Sequence, residues 1–154
     1  MQVTPRRDTT CEMLLRRALF ARGLRYRTHR RPLPELRRDA DIVFASLRIA
    51  VFVDGCFWHG CPRHPVRFRA NRAWWRAKIA RTVQRDRQTD EKLRGAGWRV
   101  IRVWEHADAE HAADSILKVV SARRRAGGRS VRGAAHSSGP RRRRRAEWAL
   151  PSVP

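Results

Sequence analysis

Four cysteine and histidine side chains could together hold a metal ion. Cys56, Cys61 and His64 lie within nine residues of one another, and His106 follows the last predicted strand. Two thiolates and two imidazoles complete a tetrahedron, the ligand set of a closed structural zinc site. The alternative is that the cysteines are buried apolar residues and the histidines are surface residues. Zinc is favoured because the surrounding loop has little apolar content and needs another source of stability.

Asp41 is the candidate ligand of a second metal, magnesium. It opens an apolar strand over residues 41–44, where a carboxylate must lie at an exposed end or be paired. Magnesium in phosphodiester hydrolysis is typically held by one or two carboxylates together with water and phosphate, and it activates the attacking water. Turn formation at the end of the strand is the structural alternative for this acid.

His59 and Glu12 are further candidate catalytic residues. His59 lies between proposed zinc ligands, but four other side chains already fill that tetrahedron. It is therefore available as a general base near neutral pH. A structural histidine beside the zinc loop is the alternative. Glu12 also fits a capping box with Thr9, which would explain an acid at this position without catalysis.

The elements that would position these residues follow the order of an α/β domain. Apolar residues at helical spacing predict helices, and short β-branched and aromatic runs predict strands, while residues 24–28 alternate only weakly. Asn71 is the predicted cap of the second helix. The predicted elements are a helix (10–22), two strands (40–44 and 48–53), an ordered loop (54–69), a helix (71–93), a strand (98–104) and a helix (109–122). We therefore expect a mixed sheet covered by helices.

Length and charge restrict the class of protein. A chain of 154 residues has room for one domain with a single hydrophobic core. Its 36 Lys and Arg against 14 Asp and Glu give a net charge of +22, which favours nucleic acid as the partner. The sequence lacks a secretory-type apolar segment and a run of about 20 apolar residues, so we expect a cytoplasmic protein without membrane association.

The C-terminal segment is predicted to be a tail behind the folded domain of residues 1–122. Residues 123–154 are dominated by Arg, Gly, Ser and Pro, which cannot form an apolar core large enough to offset chain entropy. We therefore expect a disordered, Arg-rich tail. Its run Arg141–Arg145 could bind the DNA backbone, and a solvated basic tail without that function is the alternative.

Several motifs together resemble one known family. The most specific is Val51-Phe52-Val53-Asp54-Gly55-Cys56-Phe57-Trp58-His59-Gly60-Cys61-Pro62. The others, in order from residue 7 to about residue 120, are Arg7-Asp8-Thr9 with Glu12, Ala40-Asp41-Ile42-Val43-Phe44, Trp75-Arg76-Ala77-Lys78-Ile79, Arg85-Asp86, Gly97-Trp98-Arg99-Val100 and Trp104-Glu105-His106. On these residues the chain resembles the very short patch repair (Vsr) family of DNA mismatch endonucleases.

The resemblance implies a restriction-endonuclease-like fold, a structural zinc ion and magnesium-dependent hydrolysis. It also implies a nick on the 5′ side of the thymine in a T:G mismatch, which arises when 5-methylcytosine deaminates. By position, Asp41 would bind magnesium, with Val53 offering its backbone carbonyl. His59 would be a catalytic histidine, and Glu12 the acid that orients the water or an active-site partner. The residues that match the zinc positions are Cys56, Cys61, His64 and His106.

DNA contacts follow from the same resemblance. Phe57 and Trp58 match aromatic residues that push into the base stack beside the mismatch, and Trp75 matches a further aromatic of that surface. A mismatched step is weakly stacked, so a wedge costs less there than in paired DNA. The alternative is that Phe57 and Trp58 anchor the zinc loop. Basic residues would contact phosphates and set affinity: Arg63, Arg67, Arg69, Arg72, Arg76 and Lys78.

Three positions depart from the family pattern. Asp54 stands where some relatives have histidine, so its catalytic role, as second metal ligand or as acid or base, is open. Asp39 lies in an Arg-Asp-Ala segment that replaces a Gly-x-Pro, and it could compete for the metal. Thr82 stands where Asn is common.

Two other functions are compatible with these residues. One is a nuclease that accompanies a restriction-modification system and cuts unmethylated DNA. The other is a catalytically inactive, zinc-stabilised DNA-binding protein, against which the joint presence of Asp41, Glu12 and His59 argues. Duplex DNA with a T:G mismatch is the expected partner, and mismatch repair proteins are further candidates. A monomer suits an asymmetric nick.

Overall fold

The computed structural model describes residues 8–65 and 67–133. Its elements are α1 (Thr10–Ala21), β1 (Arg27–Arg30), β2 (Ala40–Phe44), a 3₁₀ turn (Ala45–Leu47), β3 (Ile49–Asp54), α2 (Arg72–Gly95), β4 (Arg99–Trp104) and α3 (Ala109–Gly133). Arg7 and the part of the predicted tail beyond residue 133, with Arg141–Arg145, lie outside the described residues.

The four strands form one mixed sheet in the order β1-β2-β3-β4. β2 pairs antiparallel with both β1 and β3, whereas β3 pairs parallel with β4, in a register that places Asp54 opposite Trp104. Parallel neighbours require a long crossover, and α2 supplies it. The carboxyl ends of β3 and β4 therefore lie side by side, and the segments that follow both strands start from the same edge of the sheet.

Helices cover both faces of this sheet. α1 and α3 pack on one face, where Leu19, Ile49 and Ile116 are fully buried. On the other face Leu93 of α2 is buried in a second cluster with Phe52. Burial of both faces explains why β3 is apolar from Ile49 to Val53. The predicted α/β class, a mixed sheet between helices, is confirmed and is consistent with a restriction-endonuclease-like fold.

α1 begins at the predicted cap. The Thr9 side-chain oxygen accepts a hydrogen bond from the Glu12 backbone N–H at 3.4 Å. The Glu12 carboxylate accepts from the Thr9 hydroxyl at 3.2 Å and from the Asp8 N–H at 3.0 Å, one residue before the cap. These bonds satisfy N–H groups that have no partner within the helix.

The sheet contains an edge strand that the sequence did not predict. β1 is held by backbone pairing, which places Thr28 opposite Ile42 and Arg30 opposite Ala40. Between them His29 has a φ of 48°, which is uncommon for a residue other than glycine. An edge strand stabilised by its backbone leaves no apolar alternation in the sequence, so the pattern missed it.

α2 begins directly after Asn71, as predicted, but the cap prediction was wrong in its chemistry. Asn71 has a left-handed backbone, with φ 52°, and its side chain makes no capping hydrogen bond. A capping side chain typically needs an extended backbone at that position. The buried residues of α2 all lie near its C-terminus: Thr89, Asp90 and Leu93.

α3 continues to Gly133 and so passes its predicted end at Ala122. Residues 123–133, which were expected to be disordered, are therefore helical. Arg123, Arg124, Arg125 and Ala126 are good helix formers that continue α3, and the compositional argument did not weigh that propensity. The Arg123 side chain also donates to the Gly97 carbonyl at 3.2 Å. Among the helices of the described residues, none has both the length and the apolar content needed to span a bilayer.

Candidate active site and metal cluster

The structure brings together the four residues predicted to bind zinc. One ligand atom from each lies within 4.8 Å of the others. Cys56 Sγ is 3.4 Å from His64 Nδ1 and 3.0 Å from His106 Nδ1, and Cys61 Sγ is 3.7 and 3.8 Å from the same atoms. Tetrahedral zinc with ordinary bond lengths would place sulfur and nitrogen about 3.6 Å apart. The donor set therefore fits a tetrahedral zinc ion.

The fourth zinc candidate is delivered by strand pairing. The Glu105 N–H donates to the Asp54 carbonyl at 3.0 Å, which extends the parallel β3/β4 ladder by one step. The Glu105 carboxylate accepts from the Cys56 N–H at 2.7 Å, and the Cys61 N–H closes a turn on the Cys56 carbonyl at 3.2 Å. Because His106 comes next in the chain, these bonds fix it beside both thiols.

Gly60 lets the same turn pack on α2. Its φ of 66° lies in the left-handed region, and a Cβ there would be 3.3 Å from Ile79 and 3.5 Å from Val83. A side chain would therefore meet both a conformational and a steric cost. The loop that carries the cysteines is held close to the middle of α2 as a result.

The Cys56 thiol lies in surroundings that do not themselves favour the thiolate. Burial, followed by hydrogen bonding with Cys61 and Glu105, raises the pKa of Cys56 to about 12. A bound dication would reverse this, because a coordinating thiol loses its proton to the metal. A cation bound at the cluster would therefore favour the thiolate form of Cys56.

Asp41 and Val53, the pair predicted to bind magnesium, are in direct contact. The Val53 N–H donates to Oδ2 of Asp41 at 2.7 Å across β2 and β3. The pKa of Asp41 is raised to about 6, chiefly by burial and also by the charges of Glu12 and Asp54, against the Val53 hydrogen bond and the charge of His29, which lower it. A carboxylate oxygen in a region of negative charge suits a hard cation.

His59 is paired with a residue that the sequence did not single out, Asp86 of α2. Its Nδ1 lies 2.6 Å from Oδ2 of Asp86 and 3.5 Å from Oδ1 of Asp54. Burial acts to raise the pKa of Asp86, but the His59 hydrogen bond and the charges of Arg102 and Arg85 outweigh it and lower that pKa. An ionised Asp86 can only accept a hydrogen bond, so Nδ1 of His59 carries the proton and donates it in that bond. In a neutral imidazole this leaves Nε2 as the nitrogen that can accept a proton.

Asp54 is buried and bound to an arginine rather than open to solvent. Arg102 Nη1 lies 2.7 and 2.9 Å from its two carboxylate oxygens. With both oxygens engaged by one guanidinium, Asp54 has a strong, charge-assisted partner. The structure therefore places Asp54 next to His59, but as one member of an ion pair.

Glu12 lies in a separate polar cluster at the start of α1. Its carboxylate accepts from Arg16 Nη2 at 3.2 Å, and that nitrogen is also 2.8 Å from His29 Nε2. Asp8 completes the cluster, in which one ligand atom each from Asp8, Glu12 and His29 lies within 4.8 Å of the others. The capping and ion-pair bonds explain Glu12 structurally, and its only link to Asp41 is electrostatic.

The predicted DNA-contacting aromatics Phe57, Trp58 and Trp75 lie in one continuous surface, here called the aromatic platform. The platform also includes two rings that were not predicted, Phe68 and Trp74. Phe57 is edge-on to Trp58, Phe68 and Trp75, with centroids 4.7, 6.0 and 5.4 Å away. Lys78 Nζ lies 4.7 to 5.3 Å from three tryptophan rings. Trp58 exposes 43% of its surface and Trp74 52%, whereas Phe57 and Trp75 are half-buried.

Two of the arginines predicted to contact phosphate, Arg63 and Arg72, lie in different places. Arg72 lies beside the aromatic platform, where its Nε donates to the Phe68 carbonyl at 2.9 Å. Arg63 instead lines a cavity of about 420 Å³ with the zinc candidates Cys61 and His106. The structure therefore groups Arg72 and Lys78 with the aromatics but not Arg63.

Sequence reasoning missed three residues of this region. Asp86 stood in a matched motif, Arg85-Asp86, without a role. Trp74 is more exposed than its neighbour Trp75, which the family pattern selected. Arg102 had no signal, because a basic residue in a short strand of a strongly basic chain is unremarkable until its partners are known.

The chain was compared with known proteins. The family model described as DNA mismatch endonuclease Vsr matches residues 1–64. Type II nicking enzyme V.NaeI of Lentzea aerocolonigenes is 43% identical over 119 residues, 76% of this chain and 72% of that enzyme. Type II nicking enzyme V.XorIIP of Xanthomonas oryzae pv. oryzae is 38% identical over 109 residues, 68% of this chain and 76% of that enzyme.

DNA mismatch endonuclease Vsr of Escherichia coli K12 is 36% identical over 108 residues, 70% of this chain and 67% of that protein. Relatives of this identity and coverage share a family and its general chemistry. The names are divided between mismatch endonuclease and type II nicking enzyme. Together with the mixed sheet and the Cys/His cluster, these matches establish that the chain belongs to the Vsr family of DNA endonucleases.

Proposed function

We propose that this chain is a magnesium-dependent endonuclease that nicks one strand of duplex DNA on the 5′ side of the thymine in a T:G mismatch. The observation that carries the proposal is the placement of His59. Its Nδ1 lies 2.6 Å from Asp86 and 3.5 Å from Asp54, and its neighbour in the chain is the exposed Trp58. The candidate base is therefore next in the chain to a ring that could insert into a weakly stacked base step.

The residues of the chain would divide the chemistry among them. Asp86 holds the Nδ1 proton, so His59 Nε2 can accept the proton of the attacking water. Asp41 and the Val53 carbonyl would hold magnesium, which supplies positive charge at the cut phosphate and activates water. Asp41 suits this role because it is buried close to other carboxylates and offers oxygen ligands. Glu12, from its own cluster at the start of α1, would orient the water or an active-site partner through its charge.

The Cys/His cluster would have a structural task. Cys56, Cys61, His64 and His106 fill all four positions of a tetrahedron and leave none for substrate, which is typical of structural zinc. Since His59 lies in the turn between the two cysteines, zinc at this cluster would hold the candidate base in place.

Selectivity for a mismatch would come from the aromatic platform. Trp58 and Phe57 would wedge into a step that is already poorly stacked, and Trp75 would support them. The charge of +22 holds the duplex, with Arg63, Arg72 and Lys78 as candidate phosphate contacts. A single copy of the chain would suffice for a nick in one strand, and we expect it to act on DNA in the cytoplasm.

The names of several relatives favour a second candidate function. V.NaeI and V.XorIIP are type II nicking enzymes, which supports an enzyme that accompanies a restriction-modification system and cuts unmethylated, matched DNA. Both candidates use the same metal and the same base. They differ in the substrate, so a matched duplex separates them.

Nicking by variants tests the proposed chemistry. Asp41→Ala and His59→Ala should each reduce the nicking of a T:G duplex in magnesium by at least about 100-fold, the scale of a lost catalytic group. DNA affinity should persist, and for Asp41→Ala it should rise slightly because a negative charge is removed. Glu35→Gln removes one negative charge from an exposed side chain, so it is the control and should retain activity. Nicking by Asp41→Ala at the wild-type rate would contradict the assignment.

A further inference from the structure

Arg102 lies at the centre of a charged cluster beside the candidate base. Its Nη1 donates to both oxygens of Asp54 at 2.7 and 2.9 Å. Its Nε and Nη2 lie 3.1 and 3.0 Å from Oδ1 of Asp90. Nη2 also donates to the Asp86 carbonyl at 3.4 Å and lies 3.7 Å from the Asp86 carboxylate. One guanidinium therefore links the end of β3 to two successive turns of α2.

The cluster holds three carboxylates in a small volume that water reaches poorly. Asp54 and Asp90 are buried, and Asp86 is half-buried. The guanidinium of Arg102 covers the Phe52 ring, 4.9 Å from its centroid. Like charges so close repel strongly where water is scarce, unless a cation lies between them. Arg102 is the cation that contacts all three.

The ring of His59 lies between two of these carboxylates. Its Nδ1 is 2.6 Å from Asp86 and 3.5 Å from Asp54. We propose that Arg102 is a positioning residue, which holds Asp54 and Asp86 around His59 Nδ1 and so keeps Nε2 directed at the attacking water. This inference rests on the proposed function, in which His59 is the general base.

The same contacts give Asp54 a definite task. Both of its oxygens accept from Arg102 Nη1. Asp54 therefore anchors the guanidinium, rather than binding magnesium or donating a proton. Arginine suits this position because its planar fork presents several donors at fixed angles, whereas lysine offers one compact charge. Substitution of Arg102 by lysine or glutamine can therefore separate the effect of its positive charge from the effect of its donor geometry.

Three variants test the proposal. Arg102→Gln removes the charge and the fork, and Arg102→Lys keeps only the charge. Arg99→Gln is the matched control, since it removes the same charge from an exposed position of the same strand. Both Arg102 variants should lower the single-turnover nicking rate about 10- to 100-fold, the scale of a misplaced catalytic group. The Arg99 variant should stay within about threefold of wild type. Nicking by Arg102→Lys at the wild-type rate would overturn the proposal.

A combination with His59→Ala separates positioning from other roles. If Arg102 acts through His59, Arg102→Gln should change the residual rate of the His59→Ala variant by less than about threefold, because coupled residues are not additive. DNA affinity without magnesium should stay within about threefold of that of Arg99→Gln. A full effect in the His59→Ala background would mean that Arg102 acts on DNA or on the fold, and not through His59.

A proton NMR measurement on the DNA-free protein needs no activity. The Nδ1 proton of His59, in its short bond to Asp86, should give a low-field signal that is absent in His59→Ala. This signal should shift or broaden in Arg102→Lys and persist in Arg99→Gln. An unchanged signal in folded Arg102→Lys would contradict the proposal. If the signal changes in Arg102→Lys but the wild-type protein does not nick DNA, the positioning role is supported and the proposed function is rejected.

Discussion

Replacing Asp41 with asparagine should stabilise the magnesium-free protein. Asp41 is largely buried and lies near the carboxylates of Glu12 and Asp54, so its charged form is unfavourable in the folded state. Asparagine removes the charge but keeps an oxygen that can accept the Val53 N–H. A residue that binds a cation thus weakens the fold while the cation is absent.

The size of the effect follows from the pKa of Asp41. Burial and the neighbouring carboxylates raise it from 3.8 to about 6, net of the opposing contributions. Each pKa unit corresponds to about 1.4 kcal/mol, so the ionised form costs about 3 kcal/mol in the free energy of unfolding. Partial access of water screens some of this energy. We therefore expect Asp41→Asn to be more stable by about 1 to 3 kcal/mol at pH 8.

The pH dependence has a definite sign. A carboxyl with a higher pKa in the folded state binds its proton more tightly there than in the unfolded chain. The contribution of Asp41 to stability therefore falls as pH rises from 3.8 to about 6, and it is constant above that range. The advantage of the variant should be about half as large at pH 5 as at pH 8.

Urea unfolding followed by tryptophan fluorescence would measure this difference at both pH values. The buffers should contain neither magnesium nor a chelator, because a chelator would also remove zinc. Glu35→Gln, at an exposed position, controls for the loss of one negative charge from a basic protein, and it should show no comparable gain. Added magnesium should stabilise the wild type but not Asp41→Asn. Equal stability of the wild type and Asp41→Asn at pH 8 would refute the reasoning.

Two further predictions concern the metal cluster and the aromatic platform. Metal analysis should find about one zinc per chain. Cys61→Ser or His106→Ala should lose the zinc and lower the urea midpoint, whereas the control Cys11→Ser should keep both unchanged. A zinc-free wild type of full stability would reject the site. Phe57→Ala with Trp58→Ala should reduce the preference for T:G over T:A duplexes by about 10- to 1000-fold without changing salt dependence. Phe20→Ala, an exposed ring outside the platform, is its control, and equal losses on both duplexes would mean that the pair anchors the loop.

Local chemistry made much of the fold predictable. The helix start at Thr9 depends on hydrogen bonds between residues three apart, and β2 and β3 depend on short apolar runs. By contrast, β1 depends on backbone pairing with β2, and the extension of α3 past Ala122 depends on helix propensity in a charged segment. Neither leaves a hydrophobic pattern in the sequence.

The candidate site was predictable where residue type alone restricts the chemistry. Two cysteines and two histidines have few uses other than a metal, and the structure places them together. The partners of His59 and Asp54 were not predictable, since Asp86 and Arg102 come from α2 and β4 and meet only in the folded sheet. Charged residues are abundant in this chain, so composition could not indicate which ones are buried.

Cleavage of two duplexes that differ in a single base tests the central claim most directly. One duplex carries a T:G mismatch and the other T:A at the same position, with each strand labelled at its 5′ end and magnesium present. We predict one nick, in the thymine strand on the 5′ side of the thymine, in the T:G duplex alone. Equal cutting of the T:A duplex, or no cutting of either duplex, would contradict a mismatch endonuclease.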